Sequence, residues 1–381
     1  MLIQRGYRFK LKTTPDLEAV FRTMVGHARF VWNKALRLNL DRLDQGLPIV
    51  GYNDLCGLLR LWKQSEDYGF LAEASAQALQ QKLRDLDRAF TDAFDLAQPM
   101  KRLPRFKKRG EGDSFRFPQD VKVENRHIFL PKIGWVGFFK SRKISGTIKN
   151  ATITREADGW YVSIQAEAEI PEPKLHAGTA IGIDRGIVVF AATSEGELVE
   201  PLNAGANLQR QVARLQRKLA RQRKGSKNRA KTKAKIARLH QRIRRQREDF
   251  LHKLSTRWGK SHALIVFEDL RIWNMTRSAK GTVDQPGRNV RQKAGLNRAI
   301  LDQGWGEFAR MLGYKTAERG GYLLLVPPQH SSQECSGCGH VAAESRPTRD
   351  LFRCVKCGHT EHADVNAAKV ILARGTAAEA A

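Results

Sequence analysis

Four cysteines near the C-terminus constrain this chain more than any other feature. They stand as Cys335-Ser-Gly-Cys338 and Cys354-Val-Lys-Cys357, separated by fifteen residues, with Gly339 and Gly358 directly after each pair. Two thiolates on one tight turn facing two on another supply the closed tetrahedral donor set of a structural zinc, with no coordination position left for a substrate. One Zn²⁺ is therefore expected on Cys335, Cys338, Cys354 and Cys357. Clustered thiols also argue for metal rather than disulfides in a reducing compartment. His340, His359 and His362 lie nearby but are surplus to a four-cysteine site. The remaining cysteine, Cys56, sits in an apolar helix-like stretch and reads as a small core residue.

The chain is strongly basic: among 381 residues, 67 Lys and Arg oppose 39 Asp and Glu, a formal net charge of +28. Such an excess implies a polyanionic partner. No run of 18 apolar residues occurs and Met1 to Thr14 lacks an apolar signal core, so no membrane partner and a cytoplasmic, nucleoid-associated location are expected. Much of the charge is local, because Arg210 to Arg247 holds seventeen Lys or Arg and no acidic residue. Within it, Val212, Leu215 and Leu219 form one apolar stripe and Ile236, Leu239 and Ile243 another, predicting a helical hairpin that turns near Gly225-Ser226. Uncompensated charge of this density repels itself unless phosphates lie alongside. Arg210, Arg214, Arg217, Lys218, Arg221, Lys224, Lys227, Lys231, Lys235, Arg238, Arg242 and Arg245 are the expected nucleic-acid contacts.

The length suggests two or three domains. Tyr7 to Leu11 alternates like a strand, and Thr14 can cap a helix that opens at Pro15 and places Val20, Phe21, Met24, Ala28 and Val31 at helical spacing. A second helix carries Leu79, Leu83, Leu86, Phe90 and Phe94, so residues 15–100 read as a helical unit. A basic loop, Pro104 to Gly110, leads into β-like runs: Ile128 to Leu130, then a hairpin in which Asp158-Gly159 joins Ala151–Thr154 to an alternating Val162, Ile164, Ala166 strand. Pro171 and Pro173 look like a linker. Beyond it, Ala180–Asp184 and Ile187–Phe190 read as two strands meeting at a turn. A long helical region, a strand at Leu264–Phe267, another helix and a strand at Tyr322–Val326 complete an α/β pattern. The cysteine segment interrupts it before a last helix, Val365 to Leu372, and an Ala-rich tail expected to fray.

Three acidic residues, Asp184, Glu268 and Asp364, stand at the ends of apolar runs, where a charge is costly without compensation. In isolation Asp184 could be a turn residue before Gly186, and Asp364 a helix N-cap. Strand alternation puts Glu268 and Asp269 on opposite faces, so only one can enter a shared site. Three separated carboxylates match what is needed to hold two Mg²⁺ or Mn²⁺ ions for phosphodiester hydrolysis. The pattern alone does not establish that they converge.

Across nearly its whole length the chain resembles the TnpB family, encoded by bacterial insertion sequences and related to type V CRISPR nucleases. The resemblance rests on Gly182-Ile-Asp184, Val266-Phe-Glu-Asp-Leu270, Ser332 through the cysteine pairs to Gly358, and Asp364-Val-Asn-Ala-Ala368. Weaker echoes are Arg29 to Asn33, Leu83 to Phe90, Pro104 to Lys107 and Leu130 to Gly134. It implies a multidomain α+β protein: a wedge-like, β-barrel-like N-terminal domain (1–14 and 101–172) with an inserted helical recognition unit (15–100), then an RNase H-like (RuvC) α/β nuclease domain (178–330 and 360–381) with an inserted zinc ribbon (331–359). It also implies Asp184, Glu268 and Asp364 as catalytic ligands of two metal ions, a guide RNA derived from the transposon end, and target double-stranded DNA. Two positions depart from the family pattern: Arg185 replaces an apolar residue, and Val370 stands where Asn is common. The rival readings are a nuclease-dead RNA-guided regulator, a zinc-ribbon DNA-binding protein without guide, and a transposase. Intact acids argue against the first, the acidic trio against the second, and the absence of a His-hydrophobic-His and Tyr signature against the third.

Overall fold

In the computed structural model, which describes residues 1–380, alternation in the first residues produces strand β1 (Leu2–Lys10), with Tyr7 and Phe9 turned inward. Thr14 then caps α1 (Pro15–Asp44): its side chain accepts the Leu17 amide at 3.3 Å, and Pro15 occupies the first turn, where its missing N–H costs nothing. Phe21, Met24, Ala28 and Val31 are buried, but Val20 is exposed because it lies about 100° around the helix from Phe21. Helices α2 (Tyr52–Gln64) and α3 (Ala76–Phe94) follow. The α3 stripe buries Leu79, Leu83, Leu86 and Phe90, whereas Phe94 is exposed and stacks on Phe90 at 6.0 Å.

The β part of this first unit, which spans Met1–Pro171, contains β2 (Ser114–Phe117), β3 (Lys122–Glu124), β4 (His127–Leu130), β5 (Gly134–Gly137), β6 (Thr147–Glu156) and β7 (Gly159–Glu169). The hairpin forms one residue earlier than expected, with Ala157-Asp158 as its loop and Gly159 opening β7. The strands make a four-stranded sheet in the order β1-β7-β6-β2 and a three-stranded sheet β3-β4-β5, linked by an isolated bridge between Leu11 and Phe138. Among the described residues they do not close into the barrel that was expected. Closure is unnecessary because helices cover the apolar face: Phe21 packs on Phe115 at 5.9 Å and on Trp160 at 5.1 Å, and α1, α3 and the sheet share one core.

The second unit runs from Glu172 onward. Its sheet, β10-β9-β8-β11-β12, comprises β8 (Thr179–Asp184), β9 (Ala191–Thr193), β10 (Leu198–Val199), β11 (His262–Glu268) and β12 (Tyr322–Val326), with β8, β11 and β12 parallel. Ile187–Phe190 is not a strand: the Gly186 amide reaches the Phe190 carbonyl at 3.2 Å, which bends the segment into a loop before β9. Of helices α4 (Ala204–Arg221), α5 (Lys227–Ser261), α6 (Ile272–Met275), α7 (Val290–Gln303) and α8 (Trp305–Ala317), the last four contribute to the core on one face, while α4 packs on α5. There Ile181, Ile183, Ile265 and Phe267 pack with Trp258 and Phe308. Buried Lys315 donates to the His252 carbonyl, Ser255 Oγ and Thr256 Oγ1 at 2.7–2.8 Å, which fastens α8 to α5.

Beyond β12 come the short strands β13 (Leu351–Arg353) and β14 (Thr360–His362) and then α9 (Ala363–Ala380). Helix α9 covers the other sheet face, where Leu264, Val266 and Val326 meet Ile371. Burial on both faces explains the unbroken apolar run of β11. The tail expected to fray is helical through Ala380, because Gly375 lies on Val266 and Glu379 accepts from the Tyr322 hydroxyl. At Gly182 the two elements touch so closely that a Cβ would sit 2.1 Å from the Ala368 carbonyl oxygen. Gly182→Ala is therefore expected to cost roughly 1–3 kcal/mol by pushing α9 off the sheet; urea unfolding of the full chain measures it, and an unchanged midpoint would mean that α9 can shift freely.

Candidate catalytic and metal sites

The parallel register pairs Ile183 with Phe267, which brings Asp184 and Glu268, at the ends of β8 and β11, to the same sheet edge. Asp364 enters from α9, directly after Ala363, on the helix that Gly182 holds against β8. It lies within the first turn rather than at the N-cap. Burial first, then the negative charges of Glu268 and Asp364, push the Asp184 carboxyl from its ordinary 3.8 up to about 7, against the opposing pull of Arg346 and Arg185.

Each neighbour has a distinct partner. Glu268 is buried, and its Oε1 accepts from Ser331 Oγ at 2.5 Å. Arg346 donates to Asp364 Oδ1 at 2.9 Å. Arg185 is buried with its guanidinium 4.5 Å from the Phe267 ring centroid, and it donates to the Glu268 carbonyl at 2.6 Å. Desolvation lowers its pKa to about 10. The unusual arginine thus braces the end of β11. Asp269 is exposed, one residue beyond the end of β11, with its amide bonded to the Val326 carbonyl. Val370, the other departure, is a buried residue of α9. Ser331 and Arg346 carried no signal in the sequence, since both lie in irregular segments whose path to the acids only the fold reveals.

Among the described residues, the cysteine quartet is the one group whose ligand atoms already lie within 4.8 Å of one another; the acidic trio is not drawn to that separation. Cys335 and Cys357 sulfurs are 3.7 Å apart, and those of Cys338 and Cys354 are 3.6 Å apart. A tetrahedron with Zn–S bonds of about 2.3 Å has edges of about 3.8 Å, so the four cysteines fit zinc. Gly339 and Gly358, at φ of 70° and 74°, close the two turns with amides bonded to the Cys335 and Cys354 carbonyls. Backbone hydrogen bonds, that of the Cys357 amide to Cys354 Sγ at 3.5 Å foremost, pull the Cys354 thiol down, whereas burial pushes the Cys335 thiol up. Asn366, fully buried, accepts from the Ser336 amide at 2.9 Å and donates to the Glu334 carbonyl at 2.7 Å. It bolts the first cysteine turn to α9, two residues beyond Asp364.

The basic hairpin is α4 and α5, turning at Gly225 (φ 86°) with Ser226 capping α5 through the Arg229 amide. Its narrow core is Val212 and Ile243 with Leu208 and Leu239. Arg229 is spent on structure, donating to the Leu219 and Gln222 carbonyls at the end of α4. Arg214, Arg217, Lys218, Arg221, Lys235 and Arg238 line a groove of about 1080 Å³ between the helices. Arg210, Lys224, Lys227, Lys231 and Arg242 are exposed elsewhere on the hairpin, and Arg245 is half-buried. Replacing Arg214, Arg217, Arg221 and Arg238 by Gln is expected to weaken nucleic-acid binding and to flatten its log–log salt dependence by roughly 0.7–0.9 per lost phosphate contact. Titrations across salt concentrations read this out, and an unaltered slope would mean a merely solvated face.

Residues 1–47, 163–279 and 305–371 match families described respectively as "Helix-turn-helix domain", "Probable transposase" and "Cas12f1-like, TNB domain". The first of these segments is a strand followed by one long helix here. The chain is 45% identical over 375 residues, 98% of its length and 92% of the relative's, to InsQ of Escherichia coli (strain K12), whose name carries a provisional assignment as an RNA-guided DNA endonuclease. The chain belongs to the TnpB family. A Streptomyces pristinaespiralis protein with the same provisional assignment is 33% identical over 99% of this chain and 91% of its own. The fold is that of Cas12f1 in its cryo-EM complex with single guide RNA and target DNA, with a TM-score of 0.57, 13% identity, and coverage of 97% of this TnpB chain and 98% of that one. No helix among the described residues is long and apolar enough to cross a membrane.

Proposed function

We propose that this TnpB-family chain is an RNA-guided DNA endonuclease of an insertion sequence that hydrolyses phosphodiester bonds at Asp184, Glu268 and Asp364. The observation that carries the reading is the approach of these three carboxylates at one sheet edge, close enough that two of them raise the proton affinity of the third. Glu268 is buried and Asp184 and Asp364 are half-buried, and clustered acids are unfavourable without cations beyond the nearby Arg346 and Arg185; hard oxygen donors suit Mg²⁺ or Mn²⁺. When bound, two such ions supply an activated water and stabilise the leaving oxygen. The chain's own part is to hold the ligands: Ser331 orients Glu268, Arg185 fixes the strand end behind it, and Arg346 keeps Asp364 in place.

The partners in this reading are a guide RNA derived from the transposon end and double-stranded target DNA, with the hairpin groove against backbone phosphates. The domain division follows the same reading: 1–14 and 101–172 as the wedge, 15–100 as the recognition unit, 178–330 and 360–381 as the nuclease, and 331–359 as the zinc ribbon. Intact acids disfavour a nuclease-dead regulator, and a zinc-ribbon protein without guide would have no use for them. The test is to sequence the RNA that copurifies with the full chain and to assay guided plasmid cleavage in Mg²⁺ and Mn²⁺. A defined RNA matching the flank of its own gene, with cleavage lost in chelator, is expected; a chain that binds its target but never cuts would favour the regulator.

A further inference from the structure

The solvent face of the small sheet β3-β4-β5 carries an unusual set of side chains. Strand alternation turns Val123, Ile128, Val136 and Phe138 toward the core, which leaves Lys122, Phe129 and Trp135 in one cross-strand row on the other side. Phe129 and Trp135 meet edge to face at 5.5 Å, and Trp135 stays 47% exposed. The next row holds Glu124, His127 and Gly137. Continuing the alternation, Phe139 is 56% exposed with the Lys12 ammonium 5.2 Å from its ring centroid. The Lys12 stem lies over Gly137, within 3.4 Å of where a Cβ would sit, because the Lys12 amide pairs with the Gly137 carbonyl at 2.7 Å. Among the described residues, neither Lys12 nor Lys122 has a carboxylate partner.

Two half-exposed aromatic rings are costly to leave in water on a sheet that has already filled its core face. Flat rings interleaved with unpaired ammonium groups are what an unpaired nucleotide needs: a stacking surface for the base and a charge for its phosphate. We propose that this face is a stacking platform for unpaired nucleotides of the guide RNA, with Trp135 and Phe139 against the bases and Lys122 and Lys12 toward the backbone. This rests on the reading that the chain carries a guide. The guide is the nucleic acid present before any DNA is opened, so it is the strand that such a face meets first.

The full chain, purified with its RNA and without target DNA, is cross-linked by ultraviolet light and digested. Nucleotide adducts are expected on the peptide containing Trp135 and Phe139. In parallel, Trp135→Ala, Phe139→Ala and Trp135→Phe are titrated with a 15-nucleotide single-stranded oligouridylate. Each alanine variant is expected to lose roughly 10-fold in affinity with an unchanged salt slope, since stacking releases no counterions, and Trp135→Phe should recover most of it. If no RNA copurifies, the guide reading itself fails. If RNA copurifies but the adducts map elsewhere and Trp135→Ala binds like the parent, the platform alone fails. Loss of binding to single-stranded DNA with none to RNA, or a changed oligomeric state, would equally overturn it.

Discussion

Alanine at Asp184, Glu268 or Asp364 is expected to abolish guided cleavage while guided binding survives. Each carboxylate is a prospective metal ligand, and metal stabilisation of a phosphoryl transition state is worth several kcal/mol, so each loss is expected to slow cutting on the order of 10³-fold or more. In the proposed reading binding draws on charge elsewhere, chiefly the basic residues that line the α4–α5 groove. Asp269→Ala is the internal control: the residue is exposed, and strand alternation sets it on the opposite face from Glu268, so cutting should stay near the parent rate. The measurement is plasmid cleavage by the four variants with target binding followed in parallel. Full activity in the Asp184 variant would overturn the assignment.

The Asp184 carboxyl adds a pH signature. Its proton affinity in the fold is raised, so its contribution to stability is present below the ordinary 3.8 and is lost as pH rises through about 7. The metal-free chain should therefore weaken over that window, and Mg²⁺ should restore the melting temperature most at the upper end, because the ligand must be ionised. At subsaturating Mg²⁺, cleavage should fall as pH drops through about 7, and excess metal should move that fall to lower pH. A melting temperature that rises between pH 4 and 7 without metal would contradict the raised proton affinity of Asp184.

What could be read from the chain was whatever local chemistry dictates. Thr14-Pro15, the Gly225-Ser226 turn, the apolar stripe of α3 as far as Phe90 and the cysteine spacing each specify a structure within a few residues, and each appears where the sequence puts it. The acids were legible as anomalies, but their approach depends on β8 and β11 being parallel neighbours and on Gly182 admitting α9, which are properties of the sheet. Long-range pairings lie outside that local code. Ile187–Phe190 has strand composition, yet the Gly186–Phe190 hydrogen bond turns it into a loop. The alanine-rich tail looked too plain to hold, yet Gly375 on Val266 anchors it. The N-terminal strands could have closed on themselves, but helices covered their apolar face instead. Ser331, Arg346 and Asn366 act through partners 18 to 63 residues away, and no periodicity encodes such pairings.

Cys338→Ser is expected to strip the zinc and, with it, the fold of the cysteine segment. The buried cluster there is only Cys335, Phe352, Cys354 and Ala363, far too little apolar area to order the segment unaided. Structural zinc supplies binding energy of about 10–16 kcal/mol to segments of this kind, and a three-thiolate remnant retains only part of it. The damage should reach the acids as well. Asn366 ties the first cysteine turn to α9, and Arg346, which holds Asp364, sits between the two cysteine pairs. Loss of zinc should thus lower cleavage far more than guide binding, since the α4–α5 groove does not depend on the ribbon. Asn366→Ala separates the two links: zinc should stay stoichiometric while cutting falls, because the turn remains formed but no longer fixes the helix that presents Asp364. Metal content by mass spectrometry, thermal melting and cleavage rate, measured on both variants, decide the matter. Stoichiometric zinc with an unchanged melt in Cys338→Ser would remove the structural-zinc assignment, and full activity in Asn366→Ala would show that Asp364 is positioned by β8 and Arg346 alone.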